Sequence, residues 1–273
     1  MHLHRVITGL VALPFLVYLI YKGGIYFSVL IAAVCVLSLW EYFRIVFNSQ
    51  DKSSSHILLI IISLCFGLAL VFAAYKRSSS SMLIGTLYSY LIVCGFFSLT
   101  QFKYDSLILQ KISTHIQGMV YISLSLALLV MIRQSPYGAT WIFWIIGIIF
   151  AGDIGAYYVG RAFGKHKLCP SVSPGKTIEG AVGGLAANML LGSAVKFFFF
   201  PNLPWRESLL MFVCMGIAGQ IGDLVESEFK RAAGVKDSGT ILPGHGGILD
   251  RIDALLFAAP VAFLFKRFVL TVG

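Results

Sequence analysis

Charge is what this sequence has least of. Only 12% of its 273 residues are Asp, Glu, Lys or Arg, about half the ~25% usual in soluble domains, while 58% are hydrophobic and mean hydropathy is +0.86. An ordinary soluble globule is thereby excluded. Cysteine is sparse too: Cys35, Cys65, Cys94, Cys169 and Cys214 are odd in number, four lie inside apolar runs and none forms a CxxC pair, so neither a disulfide framework nor a zinc site is indicated. There is no GxxxxGK[ST] phosphate loop and no GxSxG elbow. Internal repeats and low-complexity linkers are missing as well, the run Ser78 to Ser81 being a short loop. The basic start (His2, His4, Arg5) and the apolar run Val6 to Tyr21 resemble a signal peptide, but no small-x-small cleavage site precedes Lys22, so this segment reads as an uncleaved first span.

What is present is a succession of apolar runs near the ~20 residues needed to cross the hydrocarbon core. The expected spans are 6–21, 25–47, 56–75, 82–100, 115–132, 139–160, 180–200, 208–228 and 252–270. The expected fold is therefore all-α, a polytopic transmembrane bundle of about nine spans. Residues 1–140 form N-terminal spans, and 141–273 a catalytic membrane region with two polar loops, 161–179 and 229–251. Lys22, Gly23 and Gly24 alone separate the first two spans, which implies a tight hairpin. The formal charge of +9 is scattered between apolar runs, which points to anionic lipid headgroups and away from nucleic acid. Of 21 Lys and Arg, thirteen fall on one side of this topology, which the positive-inside tendency makes cytoplasmic. Both polar loops lie on that side, since two spans separate them.

Six of the twelve acidic residues lie between Asp223 and Asp253. Carboxylates gathered in one part of a membrane protein mark a site, because desolvating them is costly. If Asp223 to Arg231 is helical, Asp223, Ser227 and Lys230 share a face, flanked by Glu226 and Arg231. Asp250 and Asp253 share another at the start of the last span. Carboxylates at two helix ends can converge on a hard cation such as Mg2+, which takes oxygen ligands together with substrate phosphates. Between them, Pro243, Gly244, His245, Gly246 and Gly247 form a loop whose backbone N–H groups can approach an anion closely, or which simply turns the chain. Residues 161–179 read as a loop because of Pro170, Pro174 and Gly175, with Thr177 placed to cap the next helix. That helix carries a GxxxG pair at Gly180 and Gly184, suited to close packing within one bundle or between subunits. Asp153 pairs with Arg161 or joins the site. Trp40, Glu41 and Arg44 read as an interfacial anchor.

The run Ser227-x-Phe229-Lys230-Arg231-x4-Lys236-Asp237-x-Gly239-x3-Pro243-x-His245-Gly246-Gly247-x2-Asp250-Arg251-x-Asp253 resembles the signature of the phosphatidate cytidylyltransferases. The upstream residues Asp153, Tyr157, Gly160, Gly164, Lys165, His166, Ser173, Pro174, Lys176, Thr177, Glu179 and Gly180 resemble the same family. The likeness covers about the last 120 residues and implies synthesis of CDP-diacylglycerol and pyrophosphate from CTP and phosphatidic acid. It further implies Mg2+, with or without a second cation, and a homodimer in the cell's inner membrane. On this resemblance Asp223, Asp250 and Asp253 hold metal; Lys230, Arg231, Lys236, Asp237, His245 and Arg251 act in catalysis. Ser173, Lys176, Thr177, Glu179, Ser227, Gly246 and Gly247 bind substrate. The alternatives are a CTP-dependent polyprenol kinase, which needs a base for a lipid hydroxyl, and an ion-coupled transporter, which should carry its acids mid-span in paired repeats.

Overall fold

The computed structural model describes residues 13–47, 54–76, 80–241 and 246–270. Its helices are α1 (Leu13–Lys22), α2 (Gly24–Val46), α3 (Ser54–Tyr75), α4 (Ser80–Gln101), α5 (Ile108–Gly118), α6 (Ser125–Gln134) and α7 (Gly138–Phe163). Then come α8 (Ile178–Phe199), α9 (Trp205–Ala232) and α10 (Leu249–Leu264). A π-helical turn, Met119–Leu124, joins α5 to α6, and another, Phe265–Val269, follows α10. Seven helical segments among the described residues are long and apolar enough to cross a membrane, α5 to α6 counting as one, and the protein is a multi-pass membrane protein. They correspond in order to the expected spans from 25–47 to 208–228. The first expected span falls partly outside the described residues. The last is represented by α10, whose 16 residues rise about 24 Å, short of the ~30 Å hydrocarbon core.

Two compact units make up the chain: residues 1–134 with 232–251, and 135–231 with 252–273. In the first, α2 packs on α3, and α3 on α4 and α6. Some polar groups in its apolar interior partner one another: the Ser63 hydroxyl lies 2.8 Å from both Tyr90 Oη and His115 Nδ1. The turn between α1 and α2 is as tight as the two glycines suggest, with Gly23 and Gly24 at φ 65° and 53°. Arg133 secures it, donating from Nε to the Ile20 carbonyl (2.6 Å) and from Nη2 to that of Tyr21 (2.7 Å).

The second unit is built on the pairing of α7 with α8. Gly152, Gly155, Ala156 and Gly160 of α7 meet Gly180, Gly183, Gly184 and Ala187 of α8. A β-carbon on Gly155 would come within 2.6 Å of the Ala187 methyl and 2.9 Å of the Gly183 carbonyl, and one on Gly180 within 2.8 Å of the Ala156 carbonyl. The two backbones thus touch, and the GxxxG pair of α8 is engaged inside the chain. Residues 161–179 differ from the expected plain loop: α7 continues to Phe163, and Lys167–Cys169 (β1) pairs antiparallel with Ser173–Thr177 (β2), Lys167 opposite Thr177 and Cys169 opposite Ser173. Pairing satisfies backbone groups that a helix could not, because Pro170 and Pro174 interrupt one.

Close backbone contact leaves no room for added volume. Gly155→Leu should destabilise the protein by about 1–3 kcal/mol through overpacking. Gly95→Ala, at a helical position with nothing near the new methyl, should be neutral or gain roughly 0.5–1 kcal/mol in helix propensity. Thermal unfolding of both variants in detergent compares the two outcomes.

Candidate functional site

Within the second unit, α7, the hairpin, α8 and α9 enclose a cavity of about 500 Å³, inside the ~300–1,000 Å³ typical of small-molecule sites. Helical spacing decides what faces it. Asp153, Tyr157, Gly160 and Arg161 recur along one face of α7, and Gln220 and Asp223 along one face of α9, while β2 contributes Ser173 and Lys176. Lys176 Nζ lies 2.5 Å from Asp223 Oδ2, so a cation and a carboxylate already meet inside. Asp153 does not pair with Arg161, which donates instead to Tyr157 Oη at 3.2 Å; it faces the cavity and interacts with the charges of Asp223 and Lys176. Asp253 of α10 interacts with Asp223, Asp153 and Lys230. Three carboxylates therefore share one electrostatic neighbourhood. Gln220 donates from Nε2 to the Ala181 carbonyl at 2.9 Å, fixing its amide in the wall.

The basic residues of α9 have firm partners, because α9 stays helical through Ala232. Lys230 forms an ion pair with Glu226, one turn earlier and fully buried, while Arg231 Nε donates to the Val172 carbonyl at 3.2 Å and holds the hairpin turn. Ser227, also buried, is 3.5 Å from Asp223 Oδ1. Two residues expected to bind substrate, at the end of β2 and in the first turn of α8, have clear local duties. Thr177, extended at φ −126° and ψ 154°, accepts the Gly180 N–H at 3.1 Å and so caps α8. Glu179 accepts the N–H groups of Lys165 (3.0 Å) and His166 (3.2 Å) and lies 2.6 Å from His166 Nδ1, closing the base of the hairpin.

The other expected residues lie in the first unit, in the stretch that leads into α10. Asp250 Oδ2 accepts from Ser238 N (2.9 Å), Ser238 Oγ (2.9 Å) and Gly247 N (2.8 Å), so this carboxylate organises its own loop. Gly246 sits at φ 81°, a conformation that only glycine adopts readily. Lys236, Asp237 and Arg251 are exposed. His245 lies outside the described residues, as do Pro243 and Gly244. The glycine N–H groups read as an anion cradle are in part engaged by carboxylates of the chain itself.

One participant escapes the sequence reading. Glu41 is not an interfacial anchor: it is 1% exposed, and its carboxylate accepts from Ile248 N (3.2 Å), Leu249 N (2.9 Å) and Ser238 Oγ (3.2 Å). Arg44, one turn on, donates from Nη2 to the Ser238 carbonyl at 3.0 Å. The available signal was an acid within an apolar span, a functional hypothesis by default; neighbouring Trp40, half exposed, suggested the membrane interface instead.

A family model described as the cytidylyltransferase family matches residues 3–269. The chain belongs to the cytidylyltransferase family. It is 32% identical over 262 residues, 95% of each chain, to a phosphatidate cytidylyltransferase of Bacillus subtilis. With a phosphatidate cytidylyltransferase of Staphylococcus epidermidis it shares 34% over 260 residues, 94% of this chain and 96% of the other. One from Staphylococcus haemolyticus is 50% identical over 124 residues, 45% of this chain and 48% of its relative. The match extends the resemblance from the signature region to nearly the whole chain, including the N-terminal spans that carry Glu41.

For this family member the capping geometry makes a separable prediction. Thr177→Ala should lower stability by about 0.5–2 kcal/mol through loss of the α8 cap, whereas Thr177→Ser should restore most of it. Denaturation midpoints of the two variants in detergent provide the comparison.

Proposed function

We propose that the cavity of the second unit is where the cytidylyl group of CTP passes to phosphatidic acid, giving CDP-diacylglycerol and pyrophosphate for phospholipid biosynthesis. The observation that carries this reading is the meeting of Lys176, Asp223, Asp153 and Arg161 around a ligand-sized cavity among membrane-spanning helices. The acceptor is already an anion. One phosphatidate oxygen attacks the α-phosphorus of CTP, the new P–O bond forms, and the bond to the β-phosphate bridging oxygen breaks, its electron pair leaving with pyrophosphate. No strong base is needed. The work is to bring anions together and stabilise the departing charge, which positioning and preorganised cations accomplish. Lys176 and Arg161 face the cavity, Ser173 supplies a hydroxyl and Gln220 an amide; Arg231 holds the hairpin turn beside them.

Mg2+ suits this donor set, since it prefers a few carboxylate oxygens combined with substrate phosphates. Asp223 and Asp253 would hold it, with Asp153 in the same electrostatic neighbourhood; Lys176 now provides the positive charge that Asp223 requires. When bound, the ion supplies neutralisation of phosphate charge. Asp250 enters by tying Ser238 to Gly247.

The same reading puts the protein in the cell's inner membrane, crossing nine times if α1 and α10 are counted with the seven long segments. CTP is a cytoplasmic solute, so both polar stretches face the cytoplasm. A homodimer is expected from family resemblance, through a surface other than the GxxxG face engaged by α7.

CTP labelled at the α-phosphate, incubated with the purified protein, Mg2+ and phosphatidic acid, should deliver label to the extracted lipid, while γ label stays in water. Transfer of γ label to a polyprenol, without α label in phosphatidate, would overturn the assignment. Asp223→Asn should reduce turnover by about 100-fold or more, as expected when an electrostatic group at a transferring phosphate is lost, with little change in unfolding temperature. On sealed cells, an impermeant thiol reagent should leave single cysteines at Lys165 and Lys236 unlabelled until the membrane is opened.

A further inference from the structure

We infer that Glu41 is a positioning residue for the transferase reaction, an N-cap for α10 supplied by α2. The last residue before α10 is Ile248, which offers no side-chain acceptor where Ser, Thr, Asp or Asn would ordinarily take the first free N–H groups. Glu41, 208 positions before Leu249, supplies that acceptor, its two oxygens on the N–H groups of Ile248 and Leu249. A carboxylate at this end also complements the positive pole of the helix. Room has been left for it: a β-carbon at Gly247 would be 2.5 Å from Glu41 Oε2, and one at Gly239 2.7 Å from the Glu41 carboxyl carbon. The Ser238 hydroxyl has a single proton and stands within hydrogen-bonding distance of both Glu41 (3.2 Å) and Asp250 (2.9 Å).

Burying a carboxylate in a membrane helix is costly unless every oxygen is well served. A serine at position 248 would reach the N–H of Asp250 or Arg251 and leave those of Ile248 and Leu249 unserved, so these two need an acceptor from outside the helix. What Glu41 adds is a fixed distance between α2 and the first turn of α10, the turn that begins with Asp250 and leads to Asp253. It ties Ser238 and Gly239 to Gly247, Ile248 and Leu249 and so fixes where Asp250 stands.

Glu41→Gln keeps the shape but replaces one acceptor oxygen with an amide N–H₂ directed at donors. In the full-length protein in detergent, kcat at saturating CTP and phosphatidate should fall about 10- to 100-fold, the effect of a misplacement of roughly 1 Å, with KM for CTP little changed. Trypsin cleavage after Lys236 should accelerate in the same variant while the unfolding temperature moves by only a few degrees. Glu41→Asp, which keeps both acceptor oxygens on a shorter arm, should retain more of the trypsin protection and of kcat than Glu41→Gln. A folded Glu41→Gln protein with wild-type kcat and wild-type protection would overturn the proposal. So would a loss of kcat with unaltered trypsin protection. The inference rests on the transferase reading only for its kinetic arm: absence of cytidylyl transfer by the wild-type protein would defeat that reading, while proteolysis would still report whether Glu41 orders the loop.

Discussion

A carboxylate that accepts backbone N–H groups is the device on which both polar stretches of this protein depend. Glu179 gathers the N–H groups of Lys165 and His166 at the base of the hairpin, Asp250 those of Ser238 and Gly247, and Glu41 those of Ile248 and Leu249. The reason is environmental. Irregular backbone packed against protein needs partners for its N–H groups, because a buried amide left unpaired is costly. A carboxylate, with about four acceptor positions on two oxygens, serves several donors at once. Three of the twelve acidic residues in this sequence thus shape backbone.

This division of labour bears on how the site residues are read. Asp223, Asp153 and Asp253 interact with one another and with lysines, and Asp223 and Asp153 line a cavity. Asp250 and Glu179 are instead surrounded by donors from their own loops. A motif records both kinds without distinction, since a loop that must keep one shape needs its organisers as much as a reaction needs its charges. Thr177 belongs to both groups: it caps α8 and also lines the cavity.

Most of the fold was legible because hydropathy in a membrane protein is a strong, local signal: the spans between 25 and 228 could be placed from apolar runs alone. The helical face of Asp223, Ser227 and Lys230, the Thr177 cap and the tight Gly23–Gly24 turn also follow from local spacing and side-chain chemistry. Long-range contacts did not. Nothing near Glu41 says that its partners lie some 200 positions away, and Trp40 and Arg44 supplied a sufficient local account of it. The hairpin was missed because prolines and a glycine signal interruption of a helix without saying what replaces it. Gly180 and Gly184 suggested close packing, but only coordinates could name α7 as the partner.

The contact between α7 and α8 has a mechanical side. Where two helices meet backbone to backbone, no side chain between them can change rotamer, and sliding one past the other drives carbonyl oxygens into Cα atoms. Gly160 and Gly180, which belong to that contact, also form part of the cavity wall. That wall is therefore stiff, and a bound molecule meets a surface whose shape is already settled. Opening and closing during turnover is left to the hairpin, to α9 and to side chains such as Lys176 and Arg161, working against a fixed anvil.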